Sequence, residues 1–235
     1  MIPLKDLTPR RSFPVITLVL ILVNVVVWLH QVSLPPAAGE AFVRMYGLVP
    51  YKVSQALTGH HYTTKQALLP LFTCMFLHGG WLHIIGNMWF LWVFGGNVED
   101  RLGSFPYLFL YLVAGIGSGI SQTLFSWGSH VPSIGASGAI SGVLGAYIVF
   151  FPRSRILTLV PLLIIWFMWR IPAAVFIGLW FIMQFLSGVV SLGSQSMGGV
   201  AWWAHVGGFV IGAVTALMVR AAGGLSRRPR PSYYS

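Results

Sequence analysis

The chain has 235 residues, 56% of them hydrophobic and 8% charged, against about 25% charged in soluble domains, which marks a membrane protein and excludes an ordinary soluble domain. Its net charge of +10 is carried by Lys and Arg set between apolar runs, an orientation signal that argues against nucleic acid as a partner. The length suits one compact bundle, and Cys74, the single cysteine, excludes an internal disulfide.

In chain order, residues 1–12 form a short, polar, basic segment before the first apolar run, residues 13–29, which is long enough to span about 30 Å of hydrocarbon. It holds Asn24 and no clean small-x-small cleavage site follows, so it reads as a retained helix rather than a signal peptide. Residues 31–67 read as a long mixed loop with Pro35-Pro36, His60-His61 and three basic residues. The second span is expected at residues 81–98, with His83 and Asn87 one turn apart on one face. A third covers residues 105–125, a short polar loop covers 128–135, and a fourth span covers 137–151, ended by Pro152. Residues 156–168 are apolar but short, which suggests an interfacial or re-entrant piece. The fifth span is expected at 173–190. A loop rich in Gly and Ser then leads to the sixth, residues 201–219, and a basic tail occupies 220–235. The fold class is therefore an all-α polytopic membrane protein, with a six-helix bundle over residues 13–219.

Six spans put both ends on one side. Eleven basic residues fall on that side, among them Arg10, Arg11, Arg101, Arg153, Arg155 and Arg170, while Arg44, Lys52 and Lys65 fall on the other. The bias makes the ends cytoplasmic. Ser137 then starts a helix on the outer side, and His205 lies a few residues into a helix descending from that side.

An ionisable ring inside a membrane helix is costly and suggests function. Small residues repeat at four-residue spacing as Gly138, Gly142 and Ala146 in the fourth span, and as Ala204, Gly208 and Gly212 in the sixth. Such faces let backbones approach closely, which would bring the Ser137 hydroxyl to the His205 ring as nucleophile and base. Ser137 also opens its helix, where free backbone N–H groups can hold an oxyanion. His83 and Asn87 can both donate to an anionic oxygen in a wet cavity. Blander readings exist for each: Gly208 and Gly212 as packing, His205 bonded to a carbonyl, and His83 and Asn87 as interhelical glue. Ser141, one turn deeper, is the alternative nucleophile. His78 reads as interfacial, and Glu99-Asp100-Arg101 as a cytoplasmic loop network. The four acids, Asp6, Glu40, Glu99 and Asp100, all lie outside the long apolar runs. An aspartyl dyad is thereby excluded and a full Ser-His-Asp triad disfavoured. The HExxH zinc pattern is missing, so no metal or cofactor is expected.

Four stretches together resemble the rhomboid intramembrane serine proteases. Phe76-Leu77-His78-Gly79-Gly80-Trp81-Leu82-His83-Ile84-Ile85-Gly86-Asn87-Met88 is similar to the family's second-helix signature, and Asn97-Val98-Glu99-Asp100-Arg101-Leu102-Gly103 to the turn that follows it. Gly135-Ala136-Ser137-Gly138 resembles the nucleophile motif, and Ala204-His205-Val206-Gly207-Gly208 the motif of the base. The resemblance implies Ser137 as nucleophile and His205 as general base, working as a dyad. It also implies oxyanion stabilisation by His83, Asn87 and the Ser137 amide, with Gly135 in the loop beside the site. The substrates it implies are membrane-anchored proteins, cut in or near a transmembrane helix. Two departures stand out: Leu69-Pro70 where many members carry Trp-Arg, and Ser141 where an aromatic often stacks on the catalytic histidine. His205 then needs another support. The rivals are an inactive rhomboid-like binding protein, which should lack the serine or the histidine, and a proton-coupled transporter using His83 and His205, which should carry buried acids. Localisation is expected in a bacterial plasma membrane.

Overall fold

The computed structural model describes residues 1–59, 62–162, 165–193 and 200–223. His60-His61, most of the loop before the expected sixth span and the tail from residue 224 lie outside the described residues. The helical class holds. Helix α1 (Val15–Ser33) is stopped by Leu34 and Pro35, and α2 (Pro36–Tyr46) starts at once with a proline at its first turn, where a missing N–H costs nothing. Helices α3 (Pro50–Leu57) and α4 (Thr64–Thr73) follow, the latter entered through a reciprocal Thr63–Gln66 capping box. The expected loop over 31–67 is thus largely helical. Its short, proline-separated helices lack the long apolar period that makes a helix visible in sequence. After a 3-10 turn at Cys74–Phe76 come α5 (Trp81–Phe90), a wide π turn at Leu91–Gly95 and α6 (Gly96–Leu102). The run Thr64–Phe76 meets Trp81–Leu102 at a 78° bend. Then follow α7 (Ser104–Phe125), α8 (Ser137–Phe150), α9 (Ala173–Gly193) and α10 (Trp202–Ala221).

Among the described residues, α1, α7, α9 and α10 are each long and apolar enough to cross a membrane. Helix α8 is shorter, about 21 Å at 1.5 Å per residue, against a hydrocarbon core of about 30 Å. If its far end reaches one surface, its first residue, Ser137, stays below the other. Helix α8 can be short because it is walled by protein: every residue from Gly138 to Tyr147 is buried. Its glycines allow this. A Cβ on Gly142 would stand 2.2 Å from Ala114 Cβ of α7, and one on Gly145 would stand 2.1 Å from the Phe209 carbonyl of α10.

Residues 156–168, expected as an interfacial or re-entrant piece, fall largely in two strands. Strands β2 (Arg155–Leu162) and β3 (Ile165–Pro172) form an antiparallel hairpin, and β1 (Ile2–Asp6), in the segment expected to be plain polar chain, pairs with β2 in the order β1-β2-β3. A continuous apolar run fits strand and helix equally well, and the sequence carries no period to choose between them. The sheet is tied to the bundle through Asp6, which accepts from Tyr147 Oη of α8 at 2.7 Å and from Asn97 Nδ2. Glu99 is no loop residue either. It is 2% exposed within α6. Its carboxylate accepts from the Ile16 and Thr17 amides at 2.9 Å each, from Thr17 Oγ1 and from Ser104 Oγ. It thereby caps the otherwise unpaired start of α1.

Candidate active site

The α8–α10 crossing brings the two sequence motifs together. A Cβ on Gly208 would fall 2.1 Å from the Gly138 carbonyl, and one on Gly212 would fall 1.9 Å from that of Gly142. This near-contact of backbones sets His205, in the first turn of α10, beside Ser137, the first residue of α8. His205 Nε2 lies 2.8 Å from Ser137 Oγ. The ring is buried, while Ser137 is half-buried and faces a cavity of about 1260 Å³ that His83, Asn87, Trp180, Gln184 and His205 also line.

His83 and Asn87 reach the same place from α5. Gly135, the residue two before Ser137, has φ +126°, a conformation open chiefly to glycine. A Cβ there would stand 2.8 Å from His83 Cε1 and Nε2 and 3.6 Å from Asn87 Nδ2. The loop can pass these side chains only because Gly135 has none. The loop itself is pinned by the Gly135 amide donating to the Cys74 carbonyl at 2.9 Å, and by a bridge between Leu48 and Ser133. The Gly79 amide donates to His83 Nδ1 at 3.3 Å. In the neutral ring the proton is then on Nε2, the atom beside Gly135. Asn87 Nδ2 is buried without a hydrogen-bond partner and belongs to a residue that lines the cavity, so it is free to donate to a bound group. Two side-chain donors, His83 and Asn87, thus line the same cavity as Ser137, which opens α8 where backbone N–H groups are free. That arrangement suits a developing oxyanion.

His78 is fully buried within the protein. Its ring packs edge-on against His83, centroids 5.2 Å apart. Gln31 clamps its backbone, donating from Nε2 to its carbonyl at 2.7 Å and accepting from its amide at 3.2 Å. Ser141 is fully buried too, and its hydroxyl donates to the Ser137 carbonyl at 2.6 Å, so it serves its own helix. Leu69 is exposed on α4 and Pro70 is buried within it.

One residue at the site was not singled out in the sequence. Gln184 of α9 places Oε1 2.6 Å from His205 Nδ1, and both side chains are buried. Trp180 and Trp202 stand near the same ring, with centroids 5.9 and 6.3 Å away. The signal available was a lone amide in an otherwise apolar span, where a polar group is costly enough to suggest a partner. Among the described residues, no group of His, Cys, Asp and Glu is placed to hold a metal ion.

The profile of the Rhomboid domain matches residues 65–222. RHOMBOID-like protein 1 of Arabidopsis thaliana is 32% identical over 148 residues, which cover 63% of this chain and 33% of that protein. Rhomboid protease GluP of Bacillus subtilis is 46% identical over 76 residues, covering 32% of this chain and 14% of GluP. Presenilin-associated rhomboid-like protein A, mitochondrial, of Danio rerio is 33% identical over 103 residues, covering 43% of this chain and 27% of its own length. The matched stretches span a third or less of these relatives.

Proposed function

Because the chain belongs to the rhomboid family, we propose that it is an intramembrane serine endopeptidase that cuts membrane-anchored proteins in or near a transmembrane helix. The observation that carries this reading is the 2.8 Å contact between His205 Nε2 and Ser137 Oγ at the edge of a cavity large enough to hold water. His205 takes the hydroxyl proton as Ser137 attacks the scissile carbonyl, then returns it to the leaving amine. The oxyanion accepts from His83 Nε2–H, Asn87 Nδ2–H and the Ser137 amide. Loss of one such donor costs about 2.7–4 kcal/mol of transition-state stabilisation. Water then hydrolyses the acyl-enzyme, with His205 again as base. The unwound outer end of a substrate helix is the segment that can present a bare peptide bond at the depth of Ser137. We place the protein in a bacterial plasma membrane from its size and spare six-span layout, with both ends cytoplasmic from its basic-residue bias.

The test is co-expression with a model single-span substrate. Cleavage and labelling by a fluorophosphonate probe are expected in the wild type, and both are lost in Ser137→Ala and in His205→Ala. Cleavage that persists undiminished in both variants overturns the proposal. Labelling that survives Ser137→Ala but not Ser141→Ala moves the nucleophile to Ser141. Clean loss of all cleavage by the wild type itself, with substrate retained in pull-downs, supports the binding-protein rival.

A further inference from the structure

A two-residue mechanism has no use for the outer nitrogen of His205, yet that nitrogen is paired. We propose that Gln184 is a positioning residue that fixes the tautomer and plane of His205, so that α9 is part of the catalytic machinery. The proposal rests on the reading of Ser137 and His205 as nucleophile and base.

The chemistry of the contact fixes its direction. Gln184 Oε1 can only accept, so at 2.6 Å it requires a proton on His205 Nδ1. A neutral imidazole carries one N–H, so Nε2 is then bare and faces the Ser137 hydroxyl at 2.8 Å. The other tautomer would set two lone pairs against each other at Nδ1 and give Ser137 no acceptor. When Nε2 gains the serine proton, the same amide oxygen accepts from a cationic N–H, and charge-assisted bonds are the stronger kind. A carboxylate would do this too, but it would have to lie ionised in the buried bundle. A neutral amide supplies the acceptor without that cost.

The contact is built into the packing. Gln184 is 8% exposed and His205 9%. One turn to either side of Gln184, α9 is seated on α10: Phe181 stacks on Phe209 with centroids 4.4 Å apart, and a Cβ on Gly188 would meet the Trp203 ring at 3.2 Å. Gln184 lies between these two points and is held at the distance they set. Helix α8 offers the ring no aromatic support, because Ser141 turns its hydroxyl back onto the Ser137 carbonyl. Helix α9 also walls the cavity, through Trp180, Gln184 and Ser187. Any displacement of α9 that widens the cavity lengthens the Gln184–His205 bond. The base is therefore fully oriented only while α9 is seated.

The full chain, reconstituted in liposomes, is assayed for cleavage of a model single-span substrate as wild type, Gln184→Leu, Gln184→Met and Gln184→Glu, with melting temperatures measured in parallel. Leu and Met keep the bulk and remove the acceptor, whereas Glu restores an acceptor oxygen. We expect kcat to fall at least tenfold in Leu and Met, toward the ~10⁴-fold that a wrong tautomer costs a Ser-His-Asp enzyme. KM should stay within about twofold, melting should fall only slightly as the buried His205 Nδ1–H loses its acceptor, and Glu should recover most of the loss. A purely structural Gln184 would lower the melting temperature and leave kcat of the folded fraction intact. That result, or a Glu variant as impaired as Leu, overturns the proposal. Ser137→Ala separates the two readings: if it leaves cleavage untouched, the serine-protease reading fails. If it abolishes cleavage while Gln184→Leu leaves kcat intact, only the role of Gln184 fails.

Discussion

Asn87 shows how a site residue can be separated from a structural one by sign. Its Nδ2 group is buried and unpaired, and an unmet buried donor costs about 1–3 kcal/mol. The Trp28 and Trp203 Nε1 groups are likewise buried and unpaired; what sets Asn87 apart is that it lines the cavity Ser137 faces, where an oxyanion could accept from it. Asn87→Leu, of similar volume, should therefore raise the melting temperature or leave it unchanged while lowering kcat about 10²–10³-fold, as loss of an oxyanion donor does. Thermal unfolding and steady-state cleavage of the same preparation check both halves. A variant that melts lower and cleaves normally would assign Asn87 to packing instead. Ser137, His205, His83 and Asn87 are readable in the sequence as candidates because polar groups stand out in apolar runs, and helical spacing gives each a face. Gln184 stands out by the same criterion, but its meaning depends on a partner 21 positions away. Nothing in either segment announces that pairing. The unsupported His205 was a visible problem, and its solution was tertiary.

At the scale of elements, the α8–α10 crossing decides whether a site exists at all. A Cβ on Gly212 would lie 1.9 Å from the Gly142 carbonyl and 2.5 and 2.6 Å from the carbon atoms beside it, all backbone atoms that cannot swing aside. Gly212→Ala must force α10 away from α8, and overpacking of this kind costs about 1–3 kcal/mol or more. Because α10 carries His205, a lower melting temperature and a loss of fluorophosphonate labelling should appear together. Gly178 of α9 is the control: nothing lies within 4 Å of its Cβ position. Alanine there should be tolerated or stabilise by up to about 1 kcal/mol through helix propensity. Equal behaviour of the two variants in a melting series would sink the argument. These small-residue faces were readable as a four-residue repeat. The short helices α2–α4 and the hairpin were not, since the first are amphipathic pieces cut by prolines and the second is a run of apolar residues without a period. The buried role of Glu99 was hidden for a related reason: a carboxylate next to Asp100 and Arg101 looks solvated until α1 is laid across it.

Across the whole molecule the two ends differ in chemistry, and the difference predicts sidedness. Ser137, the cavity and the short helices lie at one end. At the other, Asp6 bonds Tyr147, Glu99 bonds Thr17 and Asp100 bonds Ser12, gathering three of the four acids around the start of α1 and the end of α8. The hairpin is at that end too. Trp166, Phe167, Met168 and Trp169 are 45–66% exposed in succession along β3, with Arg153, Arg155 and Arg170 exposed at its base. Aromatic rings beside arginines suit a membrane interface, whereas the unpaired edge of β3 could not lie in hydrocarbon without leaving its N–H and C=O groups unmet. The hairpin should therefore rest at the headgroup level of the inner leaflet, and α2 should face the outside. Single cysteines decide this against a background with the buried Cys74 replaced by alanine. In intact cells, Arg44→Cys on α2 should react with a membrane-impermeant maleimide, and Trp169→Cys should react only after the cells are opened. The reverse pattern would invert the orientation and put Ser137 at the cytoplasmic end. Substrates would then have to unwind from the cytoplasmic side.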